Sequence, residues 1–178
     1  PMAKAYFSIH DTEMKFTFPV PGPLEGVKSK TKAFDWTIPP EWNIKNAFIV
    51  DKFNQKIVDF KKNNLHLVNY SIPVNKKITK NELIKKLHTL PNQPNAIPYV
   101  TSYYRKDWGF CISHKQKNRL LKKYNDKDFF NIVIDSKHNN KGSLTFGELV
   151  INGKSDQEIL ISTYLCHPSM ANNELSGP

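Results

Sequence analysis

The residues best suited to chemistry stand near the end of the sequence. An apolar run, Ile159-Leu160-Ile161, leads through Ser162, Thr163 and Tyr164 to Cys166, His167 and Pro168, and six residues past His167 comes Asn173-Glu174-Leu175-Ser176-Gly177. A catalytic zinc ion takes imidazole nitrogen and carboxylate oxygen, usually about three such ligands from protein, and keeps a position open for water. In two-metal hydrolases the ions sit roughly 3.5–4 Å apart and together activate the attacking water. An α/β sheet gathers such ligands on loops at the carboxyl ends of its strands. His167 stands where such a loop begins. A Cys166–His167 nucleophile pair is the weaker reading, because adjacent strand residues point to opposite faces.

Aromatic clusters form a second group of candidates. Tyr99, Tyr103, Tyr104 and Trp108 crowd one segment and could stack on a sugar or anchor a partner protein. Trp36 and Trp42 bracket Thr37-Ile38-Pro39-Pro40, an extended stretch in which core packing outweighs carbohydrate stacking. His66 falls among the polar members of an alternating run, which predicts a solvated or edge histidine. His66 and His138 are the reserve nitrogen ligands should a metal be held.

The elements that must position these residues are mostly strands. Ala47–Asp51 and Lys56–Phe60 flank a polar turn around Asn54 and predict a hairpin. Leu65–Tyr70 alternates and predicts a third strand. Thr79-Lys80-Asn81-Glu82 is a capping box opening a helix over residues 80–89, with His88 in its last turn. Tyr99–Tyr104 and Trp108–Ile112 predict strands, and Ser113–Gln116 is a second capping box for a basic helix through Lys123. Phe129–Asp135 and Ser143–Ile151 predict strands around the turn at His138–Gly142. Glu158–Leu165 is the final strand and, from its apolar run, one buried on both faces. Residues 1–33 carry little pattern beyond Lys15–Phe18, and Pro1 ahead of Met2 is not a natural start.

Composition sets bounds. At 178 residues, 39% hydrophobic and 12% aromatic, the chain suits one domain, or a small domain with a fragment of another. It holds no apolar run of membrane-spanning length and no leader pattern. Two cysteines, Cys111 and Cys166, both in apolar surroundings, fit free thiols and a reducing cytoplasm rather than a disulfide scaffold. The net charge of +10 is almost all lysine. Arginine, the better reader of bases and phosphates, occurs only at Arg105 and Arg119, so no specific nucleic-acid partner is expected.

The run His167–Gly177 resembles the first metal motif of the M28 zinc aminopeptidases (clan MH). There a strand-end His binds one metal, and a downstream Asp, followed by Asn, any residue, Ser and Gly, bridges both. Several separated words, FDWTIPPEWNI, LHTLPNQPNAIPYVTSYY, WGFC, GSLTFGE and STYLCHPSMAN, resemble the bacterial DUF4910 family. That family has an aminopeptidase-like domain with a nested DUF2172 module and a link to polysaccharide biosynthesis. The resemblance covers roughly residues 34–178. It implies an α+β chain: an uncertain segment 1–33, the start of the aminopeptidase-like domain at 34–46, an inserted α+β module at 47–147, and at 148–178 the first strand and metal loop of an α/β domain. It also implies zinc as cofactor, with His167 at the first-ligand position and Asn173 at that of the bridging Asp. Ser169 stands where many zinc aminopeptidases have an Asp that orients the His, and Glu174 stands where the family has Asn. The catalytic Glu and the other ligands of the family lie beyond residue 178.

An amide oxygen at Asn173 is a neutral substitute for a carboxylate between two dications. These residues are therefore expected to be the N-terminal portion of a metallo-aminopeptidase-like protein, inactive by themselves. The substrate class is a small peptide or an amide-bearing glycan precursor. The competing expectation is a non-catalytic remnant whose Tyr/Trp cluster binds a sugar or a protein. No membrane partner is expected, and an unpaired final strand predicts oligomers or aggregation.

Overall fold

Alternating β-formers dominate the chain, and the fold is α+β, with most strands antiparallel and two short α-helices among the described residues. The computed structural model describes residues 2–9, 24–151, 153–155 and 157–165. It divides into two units, one made of Pro1–Asn43 with His138–Pro178 and the other of Ile44–Lys137. No helix among the described residues is long and apolar enough to cross a membrane.

In the first unit, β1 (Met2–Ile9) lies between β11 (Ser143–Ile151), antiparallel to it, and β12 (Glu158–Leu165), parallel to it. β2 (Leu24–Lys28) closes the other side of β11. The strand β1 has no counterpart in the sequence expectations, and the Lys15–Phe18 segment lies outside the described residues. Trp42 and Ile38 are buried, so the aromatic anchor reading holds for Trp42. Gly142 is required by close approach: a Cβ there would overlap the Glu41 side chain, whose Oε2 accepts the Ser143 N–H at 3.3 Å.

A two-residue turn joins β3 (Lys32–Ala33) to β4 (Trp36–Thr37), and its first residue, Phe34, has φ 57°. That region costs a side chain about 1–2 kcal/mol, and the fully exposed ring recovers nothing by burial. Phe34→Gly should therefore raise stability by roughly 0.5–1 kcal/mol after glycine's own entropic penalty. A urea midpoint below that of the wild type would contradict this.

The second unit is built on a four-stranded sheet ordered β6-β5-β10-β7. β5 (Glu41–Val50) and β6 (Lys56–Asp59) form the expected hairpin, turning at Asn54 with φ 60°. β10 (Phe129–Asn139) pairs antiparallel with β7 (Val74–Thr79), and Phe130, Ile132 and Ile134 alternate inward onto the core. Leu83, Phe110, Ile112 and Leu120 complete that core.

Three expectations fail here, each because a local or tertiary bond wins over periodicity. Leu65–Tyr70 is not a strand. The Asn63 side chain accepts the Leu65 N–H at 3.0 Å and caps a 3-10 turn at Asn64–His66. The first helix, α1, is only Lys80–Ile84, although its Thr79/Glu82 capping box is present. Beyond it β8 (Leu87–His88) pairs in parallel with β9 (Phe110–Cys111), so His88 sits in a strand rather than at a helix end. Burial lowers the His88 pKa. Tyr99–Tyr104 is a loop with a single bridge at Thr101. The second helix, α2 (His114–Lys123), follows its Ser113/Gln116 capping box as expected.

Candidate functional site

In sequence, β12 precedes the candidate metal motif. This strand runs parallel to β1 in register Ile9↔Leu165, and His167 follows two residues later. Cys166, His167, Ser169, Asn173 and Glu174 all lie outside the described residues. Among the described residues β12 is an edge strand of its sheet, and Ile159, Leu160 and Ile161 are 56%, 65% and 58% exposed. That corrects the expectation of a strand buried on both faces. Three consecutive residues point to alternating faces, so neither face of this run is covered by the described residues.

The donor set of the motif does not fit a complete zinc site. His167 supplies the imidazole, but Asn173 puts a neutral amide where the resembled motif has its bridging carboxylate, and the Cys166 thiol and the Glu174 carboxylate fall outside the two positions that motif uses. Among the described residues no group of three His, Cys, Asp or Glu could hold a metal ion. Nor is His66 a solvated reserve ligand: it is buried, and its Nδ1 donates to the Cys111 carbonyl at 2.8 Å. A carbonyl can only accept, so the proton is on Nδ1.

The second unit carries the aromatic candidates. The 99–109 segment docks on residues 67–72 through main-chain bonds. Val68 N–H donates to Gly109 O at 3.1 Å, Asn69 N–H to Val100 O at 3.0 Å, and Ser102 N–H to Asn69 O at 2.9 Å. Docking stacks three tyrosines. Tyr70 meets Tyr103 edge-on at 4.6 Å between centroids, and Tyr103 meets Tyr104 in the same way at 4.6 Å. Tyr70 has φ 62°, a strained value for a bulky residue, and Tyr104 is 82% exposed at the outer end. Burial pushes the Tyr103 hydroxyl up to about 12, so it stays a neutral donor at physiological pH. Tyr99 accepts from Asn69 Nδ2 at 3.4 Å. Trp108 does not join the stack. It is buried, with the Lys76 and Lys86 ammoniums 4.9 and 5.4 Å from its ring.

Sequence reasoning passed over Asp51, which ends the predicted first hairpin strand. Its side chain is fully buried. Oδ1 accepts the N–H groups of Phe53 and Gln55 at 3.0 and 2.8 Å, and Oδ2 accepts the Tyr124 hydroxyl at 2.6 Å. Lys123 Nζ is 3.6 Å from Oδ2. Burial alone would raise its pKa, but the Tyr124 hydroxyl, the two amides and the Lys123 charge together hold it below the usual carboxylate range. Cys111 is equally enclosed, and burial pushes its thiol up to about 12, as fits an inert core cysteine.

DUF2172, a domain family described as of unknown function, matches residues 41–137, more than half of the chain. The chain belongs to the DUF2172 family. The DUF2172 part opens at the first residue of β5 and closes within β10, so it contains the tyrosine stack and Asp51 but not His167 or Asn173. Similarity extends well past it. The chain is 48% identical over 158 residues to a Clostridium acetobutylicum protein named "Putative polysaccharide biosynthesis protein with aminopeptidase-like domain", covering 89% of this chain and 35% of that protein. A crystal structure of a "putative peptidase" from Clostridium acetobutylicum matches with a TM-score of 0.80 and 47% identity, over 89% of this chain and 36% of that one. The chain thus spans about a third of the length of the relatives it matches.

Proposed function

We propose that this chain is the N-terminal portion of an M28-like metallo-aminopeptidase-like protein acting in polysaccharide biosynthesis. In this reading the DUF2172 module is inserted between two parts of the peptidase domain, and His167 is the first metal ligand. The observation that carries it is the reach of the similarity: 158 aligned residues cannot fit within the 97 of the DUF2172 part. The named aminopeptidase-like relative therefore also resembles the segments that flank the module. The substrate class is a small peptide or an amide-bearing glycan precursor, and the working compartment is the cytoplasm. This chain alone supplies too few donors for hydrolysis. Its exposed 159–161 run would drive self-association, visible as a concentration-dependent size in sedimentation velocity.

The coding DNA downstream of Pro178 provides the first test. A frame that continues into further His, Asp and Glu motifs supports the reading, and a stop codon directly after Pro178 overturns it. With the frame in hand, His167→Ala in the full product should abolish hydrolysis of aminoacyl-anilides while leaving the fold intact by circular dichroism. Unchanged hydrolysis would remove His167 from the site.

A second reading is favoured by the tyrosine stack. A strained Tyr70 and a protruding Tyr104 suit a platform that binds a sugar or a protein without catalysis. A downstream stop codon together with glycan binding lost in Tyr104→Ala would select this reading instead.

A further inference from the structure

The net positive charge of this protein lies in one of its units. Ile44–Lys137 carries 19 Lys and Arg against 7 Asp and Glu, whereas the rest of the chain carries 7 against 9. Within the basic unit Asp51, Asp59, Asp107, Asp126 and Asp128 are each already paired with a lysine. With five of the unit's seven acidic residues taken up in these pairs, and Glu82 beside Lys76 and Lys85, cations remain in excess, and part of the excess is ordered. On α2, Lys115, Arg119 and Lys122 are all exposed and follow one another at four- and three-residue steps, which puts them on one face. The steps correspond to about 6 and 4.5 Å along the helix axis. Leu120 faces the core, and α2 contains no acidic residue.

At the C-terminal end of this stripe the β5–β6 turn adds an aromatic ring. Phe53 is 59% exposed, with Lys52 Nζ and Lys123 Nζ 5.2 and 5.5 Å from its centroid. Both lysines are tethered, Lys52 to Asp128 at 3.0 Å and Lys123 to Asp51 at 3.6 Å. The turn that holds Phe53 is itself fixed by the Asp51 carboxylate. An exposed ring on a rigid turn, beside a row of cations, is a surface with both a stacking element and a charge element.

We propose that α2 and the β5–β6 turn form a docking site for an acidic polysaccharide. Carboxylates on successive sugars would pair with Lys115, Arg119 and Lys122, and the apolar face of one ring would pack on Phe53. Charge complementarity alone calls for a polyanion. The choice of a glycan rests on the proposed link to polysaccharide biosynthesis and on two features of the patch. A nucleic-acid surface uses several stacking rings and arginine forks, and this one has a single ring and a single arginine.

The test uses the whole 178-residue chain, titrated at about 150 mM salt with oligomeric polygalacturonate, with neutral dextran and with a single-stranded DNA of similar length. Polygalacturonate should bind, dextran should not, and DNA should bind more weakly than polygalacturonate. Substituting Lys115, Arg119 and Lys122 together by alanine should weaken polygalacturonate binding at least tenfold and flatten its salt dependence. A control triple, Lys61→Ala, Lys62→Ala and Lys106→Ala, removes the same charge elsewhere and should change binding less than twofold. Phe53→Ala should weaken it several-fold with the salt dependence unchanged. All variants are compared at matched thermal midpoints. Equal losses in the two triples would reduce the effect to net charge and overturn the site. DNA binding tighter than polygalacturonate would overturn the glycan, and no binding of either anion would overturn both. None of these outcomes depends on the reading frame or on His167, so failure here is separable from failure of the peptidase reading.

Discussion

Asp51→Ala is expected to destabilise the chain by about 3 kcal/mol, a large share of the 5–15 kcal/mol that holds a domain folded. The Phe53 and Gln55 amides belong to exposed residues and can turn to water when the carboxylate goes. The Tyr124 hydroxyl cannot, because Tyr124 is buried at 4% exposure and also packs edge-on against Phe130 at 5.0 Å. An orphaned buried donor costs about 1–3 kcal/mol, and the charge-assisted bond itself adds about 1.5–3 kcal/mol. Asp51→Asn keeps the shape and an acceptor, so its cost should be about half. Tyr124→Phe should be similarly harmful alone but add little on top of Asp51→Ala, since the two share one bond. Additive losses in that cycle would show that the 2.6 Å contact is not what Asp51 contributes. The sign with pH follows from the depressed pKa. The carboxylate's contribution is fully present above its unfolded value of about 3.9 and fades as pH falls through the lower folded value. The gap between wild type and Asp51→Asn should therefore be flat above about pH 5 and close below about pH 4. A gap that widened in acid would reverse the assignment.

Much of this architecture was legible because some local rules act alone. Both capping boxes, Thr79/Glu82 and Ser113/Gln116, form as their spacing dictates, since each needs only four consecutive residues. The Asn54 turn and the Phe130/Ile132/Ile134 alternation are local in the same sense. What failed depended on partners distant in sequence. The Asp51–Tyr124 bond spans 73 residues, and nothing near Asp51 announces it. His66 was read by its place in an alternation, but its state is set by a carbonyl 45 residues away. The tyrosine cluster was found by composition, yet composition could not say that Trp108 would go to the core while Tyr70 joined the stack. The proposed metal motif is a different case, a short pattern of residue types that suggests its chemistry from sequence alone, and its residues lie outside the described structure. Its weakness is readable as well, in the amide at Asn173.

That weakness makes zinc the all-or-none measurement. After dialysis against a chelator the 178-residue chain should retain no stoichiometric zinc. Asn173→Asp should not change that, because in the resembled M28 motif these residues supply only the first ligand and the bridging carboxylate, and the resemblance places the remaining ligands beyond Pro178. Further donors are scarce among the described residues. No cluster of three is present, and His66 is buried with one nitrogen committed to the Cys111 carbonyl. The longer product should behave differently, because ligands supplied from beyond Pro178 would complete the set, and binding should then release protons as the ligands deprotonate. Three results discriminate. Zinc at one or more ions per wild-type chain would mean that Asn173 or Glu174 ligates after all and that a further donor, His138 being the first to substitute, completes the site. Zinc only in Asn173→Asp would show that the amide at the bridging position, rather than the number of donors, is the limiting defect. Zinc in the longer product but in neither form of the short chain is the outcome expected if His167 is one ligand of a site assembled from several loops.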